Sequence, residues 1–399
     1  VQPPDGNHLE ESGGDGGMRY TIGQLAEIID GDRGKNYPKQ DEFYPQGYCL
    51  FLNTGNVTKE GLIFEENQFI MKEKDEALRN GKLKRGDIVY TTRGTVGNAG
   101  YYNSSVPYEN VRINSGMVIL RSNGEIVDAR FLYQILKSEY YRPYFKQYCT
   151  GSAQPQLPIK NFSQIYLNVP DIKTQHRIAD ILSVYDNLIE NNQKQIKLLE
   201  EAAQRLYKEW FVDLRFPGHE NTKIVDGVPE GWRRGLLKEL ISVNYGKDHK
   251  KAPDDGNIPV YGSGGLMRKC NKSLFSGEAV LIPRKGSLNN IMYVDETFWT
   301  VDTMFYATMK QPHTAVFVYF FVKAFDMYSM NIGAAVPSMT TKILDAMDVV
   351  IPDKETLEKF DKLTKTYFNK IKTLQGQNER LKIARDLLLA KLMSGEVEV

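Results

Sequence analysis

The groups able to do chemistry in this 399-residue chain are mostly cationic, amide and phenolic side chains gathered in short runs. In the first half Lys82, Lys84, Arg85, Arg93 and Asn98 stand with Tyr101 and Tyr102. In the second half come Tyr245, Lys247, Lys250 and Lys251, then Tyr261, Ser263, Arg268, Lys269 and Lys272, then Arg284, Lys285, Ser287 and Asn289. Lys and Ser suit phosphates, Arg pairs well with guanine edges, and Asn with adenine. The chemistry these types offer is contact with duplex DNA. One such run alone is an ordinary solvated face; recurrence in both halves is what favours DNA.

Signatures of catalysis are missing from the sequence. No G-x-x-x-x-G-K-[ST] phosphate loop is present, which excludes nucleotide hydrolysis of that class. Gly262-Ser263-Gly264-Gly265 is glycine-rich but lacks the following helix of a dinucleotide site, so it reads as a tight recognition loop. No Cys/His cluster has metal-ligand spacing, and His176, His219, His249 and His313 stand apart in sequence. Gly151-Ser152-Ala153 is no nucleophile elbow. No Asn-Pro-Pro-aromatic tetrapeptide, the mark of an adenine amino-methyltransferase, occurs. Pro170-Asp171-Ile172-Lys173 is one acidic pair short of a nuclease motif and heads a helix.

Composition narrows the classes further. A chain of 399 residues, 41% hydrophobic and 11% aromatic, is long enough for two or three domains with cores. Lys+Arg 51 against Asp+Glu 50 leaves a net +1, so any basic surface must be local. No apolar run approaches the length of a membrane span. The three scattered cysteines, with no signal peptide, read as reduced thiols of a cytoplasmic protein. Residues 1–17 are polar and Gly-rich, precede Met18, and read as a tag or disordered leader.

Two long helices must position these runs. From Ile178 the positions Leu182, Tyr185, Ile189, Asn192, Ile196, Leu199, Ala203, Leu206 and Trp210 keep a 4-3 spacing, and no Pro or Gly interrupts residues 171–216. This predicts a helix of roughly 35 residues, about 50 Å long, with a seam for another helix. At an offset of 182 the same spacing returns as Phe360, Thr364, Tyr367, Ile371, Leu374, Asn378, Leu381, Arg385, Leu388 and Leu392. Asn192 and Asn378 fall in the seams, where an amide can fix helix register. The repeat extends upstream. Gly151–Leu157 faces Gly333–Met339 and Val169-Pro170-Asp171 faces Ile351-Pro352-Asp353, while Gly86–Val89 with Arg93 matches Gly277–Val280 with Arg284 at an offset of 191. A twofold internal repeat of this size sets the architecture.

The order is therefore globule, helix, globule, helix. We place the first globule at 18–170, the first long helix at 171–212, the second globule at 213–351, the second helix at 352–395 and a tail at 396–399. Strand-like pieces are Tyr48–Asn53, Leu62–Phe64, Asp87–Thr92 and Gly116–Arg121, then Val260–Tyr261, Ala279–Ile282, Ile291–Val294 and Met304–Thr308. Tyr20–Asp30 reads as a short helix or turn, and Phe131–Tyr144 and Thr314–Met327 as helices, so each globule is α+β. Asp171 and Asp353 are expected to cap the long helices. A globule whose ends lie close together returns the chain near where it left. The helices are then antiparallel, with a globule at each end of a rod and a pseudo-twofold axis across it.

At this point the chain resembles the specificity subunit of type I restriction-modification enzymes. The resemblance rests on Gly151-Ser152-Ala153-Gln154-Pro155-Gln156-Leu157-Pro158, Val169-Pro170, Gln175, Ile178, Leu182, Asp186, Ile189, Ile196, Leu199, Leu206 and Phe211. The second copy runs Gly333–Met339, Ile351-Pro352, Tyr367 and on to Leu392, with Val336 in place of Gln154 and Thr364 and Arg385 in its seam. Tyr261-Gly262-Ser263-Gly264-Gly265 is also similar to a loop of that family's recognition domains. The resemblance implies two target recognition domains, each reading one half of a bipartite, asymmetric DNA site. It implies that the paired helices set the spacing and dock two methyltransferase subunits. Those partners would use S-adenosylmethionine to methylate adenine, and restriction subunits would add ATP- and Mg2+-dependent translocation and cleavage. The chain itself would be non-catalytic, binding no cofactor and no metal.

Two other readings share the same residues. One is the recognition module of a single-chain restriction enzyme, which needs no separate methyltransferase. The other is a non-DNA scaffold whose coiled coil links two binding domains. DNA affinity that falls steeply with salt separates both DNA readings from the scaffold.

Overall fold

Four helices frame the chain: α1 (Ala129–Lys137), α2 (Ile172–Tyr207), α3 (Ala315–Lys323) and α4 (Lys354–Met393). They belong to a computed structural model that describes residues 17–151, 154–330 and 338–399. The leader assigned to 1–17, apart from Gly17, lies outside the described residues, as do Ser152, Ala153 and the Gly333–Pro337 half of the second motif. The chain divides into two compact units. One runs to Asn191 and includes Gln377–Val399; the other is Asn192–Gly376.

Both long helices start on the expected carboxylates. Asp171 Oδ1 accepts from the N–H of Lys173 at 2.9 Å and of Thr174 at 3.2 Å. Asp353 Oδ1 accepts from Thr356 N at 2.9 Å, and its Oδ2 also accepts from the Trp232 indole at 2.8 Å. Each satisfies backbone donors that a first helical turn leaves open, typically ~1 kcal/mol. The first helix ends earlier than 212 as a regular α-helix. Residues Lys208–Val212 wind as a wider π turn, and Trp210 stays buried.

Within the first unit a four-stranded antiparallel sheet takes the order Ala26–Asp30, Met117–Ser122, β1 (Ile88–Thr91), β2 (Ala99–Tyr101). Alternate residues of its strands face α1, so Val118, Leu120, Ile88 and Tyr90 pack with Phe131, Leu132 and Ile135. The opposite face, with Val89 and Ile119, packs on Leu50, Leu52 and Val111 of a second small sheet. The same apolar cluster takes in Ile178 and Leu182 of α2 and Leu389 and Leu392 of α4. Here the start of α2 lies against the end of α4.

Within the second unit one six-stranded sheet runs Ile241–Tyr245, Met304–Met309, β3 (Phe275–Pro283), β4 (Met292–Thr300), Ile258–Gly262, Gly265–Cys270. Val280 and Ile282 pack with Val316, Phe317 and Phe320 of α3, and with Ala203 and Tyr207 of α2 and Trp210 of the π turn beside Leu357 and Phe360 of α4. Here the end of α2 lies against the start of α4. Within the first unit Arg177 meets Val399 O at 3.1 Å and Asp186 meets Arg385 at 2.8 Å, so α2 and the end of α4 run antiparallel there. The closed-ended globule is also literal: Met18–Thr21 pairs antiparallel with Tyr166–Val169, and Arg233–Leu236 with Asp348–Ile351.

Seam positions follow the 4-3 spacing in burial. Ile178, Leu182, Ile189, Asn192, Ile371, Leu374, Asn378 and Leu392 are buried; Tyr185, Ile196, Leu199, Leu206, Tyr367, Leu381 and Leu388 are half-buried. Thr364 is tolerated there because its hydroxyl donates to Phe360 O of its own helix at 2.8 Å.

Several local expectations need correction. Tyr20–Asp30 is one helical turn, Ile22–Leu25, followed by a strand, Ala26–Asp30. Phe131–Tyr144 is not continuous: α1 stops at Lys137 and a new turn, Arg142–Lys146, carries Pro143 at its start. A proline has no N–H and clashes with the carbonyl four residues back, so it fits a first turn and not an interior. Thr314–Met327 shortens to α3. The strand at Leu62–Phe64 is Gly61–Leu62, and those begun at Ala279 and Ile291 extend to nine residues each as β3 and β4.

Candidate nucleic-acid interface

An arginine follows a central strand in both units. Arg93 lies in the turn between β1 and β2, and Arg284 in the turn between β3 and β4. Each donates its N–H across the sheet, Arg93 to Gly116 O at 3.1 Å and Arg284 to Thr303 O at 2.8 Å. Gly116 and Thr303 each immediately precede the neighbouring strand, so the two arginines hold equivalent places. Nearby, Leu157 N donates to Thr92 O and Met339 N to Arg284 O, both at 2.9 Å, which ties each motif segment to its arginine turn.

In the second unit three loops converge on Arg284. Its guanidinium lies 5.1 Å from the centre of the exposed Tyr245 ring, with Nη1 donating to Asp302 O at 3.0 Å. Lys247 N donates to Thr300 O at 2.9 Å, and Asn290 Nδ2 donates to Ser263 O at 2.9 Å. Gly286, at φ +80°, approaches so near that an added Cβ would sit 2.5 Å from Ser263 Oγ. Tyr245, Lys247, Ser263, Arg284 and Lys285 therefore share one surface. Gly262-Ser263-Gly264-Gly265 is the turn of the hairpin Ile258–Gly262/Gly265–Cys270. Lys250 and Lys269 form a separate group around Arg268, whose guanidinium bonds to Asp254, to His249 O and, at 2.7 Å, to Ala252 O.

Other candidates are spent inside the fold. Asn98 is buried and donates to Val57 O at 2.9 Å. Arg85 bonds to Asn103 O and, at 3.1 Å, to Tyr108 O, with its guanidinium 4.2 Å over the buried Tyr102 ring. Tyr101 stacks on Tyr133 at 5.5 Å. Tyr261 donates to Glu296 at 2.5 Å; burial and then that carboxylate push its phenol up, so it stays a donor. Asn289 holds Asp326 at 2.9 Å and accepts from Met327 N at 2.8 Å. Lys82 Nζ lies 2.5 Å from Asp75, a buried carboxylate already paired with Arg112. Polar residues near tight turns meet backbone groups that need partners, and such bonds consume the groups that sequence alone offers to DNA.

Exposed cations that make no side-chain ion pair among the described residues include Lys84, Arg93, Lys247, Lys250, Lys269 and Lys285. In the first unit these do not form one patch, because Lys84 and Arg93 lie at opposite ends of β1. Sequence reading passed over Arg142, which it took as part of the helix Phe131–Tyr144, and Lys146 just beyond that helix. It also passed over Lys137, whose ammonium lies 2.6 Å from Asp186, the carboxylate that Arg385 meets at 2.8 Å. Arg385 in a seam position was the available signal.

Among the described residues no group of three or more His, Cys, Asp or Glu side chains could hold a metal ion. No helix there is long and apolar enough to cross a membrane.

Comparison with known proteins agrees with this layout. The HindI type I restriction enzyme specificity subunit of Haemophilus influenzae is 24% identical, over 92% of this chain and 98% of that protein. The MjaIX specificity subunit of Methanocaldococcus jannaschii is 24% identical, over 79% and 78%. The crystal structure of the type I restriction-modification S subunit from M. genitalium superposes with a TM-score of 0.54 at 18% identity, over 98% of this chain and 99% of that one, a likeness of fold. The family model described as the type I restriction modification DNA specificity domain matches residues 16–201 and 229–382. Because those two segments fall on the two copies of the repeat, each taking in a globule and most of its long helix, the chain belongs to the type I restriction modification DNA specificity family.

Proposed function

We propose that each unit reads one half of a bipartite DNA site and that the helix pair sets the distance between the halves. The observation that carries this is the recurrence of Arg93 and Arg284 at one place in two sheets of one fold, each beside different loops. Equivalent frames present a strand of the duplex with equivalent geometry, and different loops read different bases. The chain acts by binding. Methylation of adenine with S-adenosylmethionine, and ATP- and Mg2+-dependent restriction, belong to partner methyltransferase and restriction subunits.

The test is a genome-wide map of N6-methyladenine with and without this gene. A two-part motif with a fixed unread gap, lost when the gene is removed, is the expected result. A map that does not change removes the proposal.

The outer face of the helices supports docking of two methyltransferase subunits. Ile181 on α2 is 38% exposed and Leu363, its counterpart on α4 at an offset of 182, is 44% exposed. Val184 at 57% and Leu188 at 46% extend the apolar stripe on α2. Leucine-sized groups at helical spacing suit a partner helix. Val184→Glu with Leu188→Glu is expected to weaken association with the methyltransferase roughly tenfold or more while the chain's own melting temperature holds. Undiminished co-purification would show that the partner sits elsewhere.

A further inference from the structure

The first unit contains an open cleft of about 910 Å³ directly beneath the Arg93 turn. Thr54, Thr95, Arg142 and Lys146 line it, with the backbone of Gly94 and Gly151. Its walls are fixed. Thr91 Oγ1 donates to Thr95 O at 2.5 Å and accepts from Asn98 N at 2.9 Å, while Asn98 anchors the floor through Val57 O. The hydroxyl-bearing loop is thus held in shape before any ligand arrives.

The charges within it are unevenly satisfied. Glu139 lies 3.0 Å from Lys59, and Glu60 lies 3.0 Å from Lys382, so both carboxylates are neutralised. Arg142 is only 12% exposed, and its Nε lies 3.1 Å from Glu139 without making a hydrogen bond. Lys146 is exposed and makes no side-chain ion pair among the described residues. A cleft with the unpaired Lys146 on its wall, Arg93 in the turn above it and hydroxyls inside is built for a polyanion whose inner edge donates and accepts hydrogen bonds.

We infer that one DNA strand of the half-site read by the first unit enters this cleft. Arg93 and Lys146 contact phosphates, and Thr54, Thr95 and Arg142 face base edges. This rests on the DNA-reading function proposed above and moves the reading site away from Lys82, Lys84 and Arg85. Those three lie at the other end of β1, and two of them are already bonded within the fold.

The test uses the full chain with its methyltransferase partner and duplexes that carry the mapped motif. Lys146→Ala should weaken binding to cognate and unrelated duplexes alike and reduce the slope of log affinity against log salt by about one. Thr54→Val and Thr95→Val should relax base choice about tenfold in one half-site and leave the other unchanged. Lys84→Ala should change neither quantity. An unchanged slope in Lys146→Ala with unchanged half-sites in both threonine variants would overturn this inference while sparing the proposed function. So would transfer of these effects to Lys84→Ala. Absence of sequence-selective binding by the unaltered complex would remove both.

Discussion

Deleting residues 195–201 of α2 together with 370–376 of α4 should shorten the unread gap between the half-sites by about 3 bp. Seven residues of helix rise about 10 Å, and B-DNA rises about 3.4 Å per base pair. Both segments lie within the second unit, and each deletion spans one full 4-3 repeat. Leu206 and Phe360 beyond them therefore stay in phase with the seam. The loops proposed to touch DNA are untouched, so both half-sites should remain the same. The measurement is the N6-methyladenine map of cells carrying only the shortened chain. A motif with its original gap would mean that something other than helix length sets the spacing, and the ruler would be abandoned.

The second large effect concerns the charge cluster at Asp186. Lys137 Nζ lies 2.6 Å from its Oδ2, Arg385 Nη1 lies 2.8 Å from its Oδ1, and Gln134 donates to it at 2.6 Å. The side chains of Lys137 and Arg385 are only 7% and 12% exposed. Asp186→Ala leaves two buried cations without their shared anion, which is expected to cost about 3–5 kcal/mol of stability. Arg385 also pairs with Asp386 at 2.9 Å. Removing Lys137, Asp186 and Arg385 together as Lys137→Met, Asp186→Leu, Arg385→Met should still cost less than that single change, because both buried cations go with their shared anion and Asp386 keeps the Glu139 N–H at 3.1 Å. Chemical denaturation of both variants decides it; a triple variant at least as damaged as the single one would refute the account.

The same cluster sets a pH response. Burial pushes the Lys137 ammonium down to about 8, more than the nearby Asp186 holds it up. The unfolded chain, with an ordinary lysine, then binds the extra proton above that value, so stability should rise from about pH 8 toward 10 and should not in Lys137→Met. For Asp186 burial alone would raise the carboxyl, but Lys137 and Arg385 outweigh it and hold it low. Its contribution is present above the ordinary carboxylate value and is lost as pH falls through the lowered one.

The second unit solves the same packing problem without charge. Tyr133 and Lys137 of α1 have counterparts in Tyr319 and Lys323 of α3, each lysine over its tyrosine ring at 4.5 and 5.0 Å. Where the first unit places Asp186 and Arg385, the second has Phe368 and Ala203 at an offset of 182, packed among aromatic rings. Lys323 is accordingly exposed and Lys137 buried. Repeat identity therefore predicts the frame and not the chemistry at each matched place.

The long helices, their caps, their seams and the twofold order of the chain could be read from residue order alone. Periodicity, a carboxylate after a proline and a fixed offset are local or one-dimensional signals, and they survive whatever the rest of the chain does. The fate of the polar loop residues could not be read that way. Asn98, Arg85, Arg268 and Asn289 have the types that suit DNA, yet each lies beside backbone carbonyls or carboxylates brought in from elsewhere in sequence. Only tertiary structure decides which polar groups a fold consumes, because an unpaired buried donor costs more than a lost contact with a ligand. The same holds for the cleft under Arg93, whose lining comes from three separate stretches that no spacing rule connects.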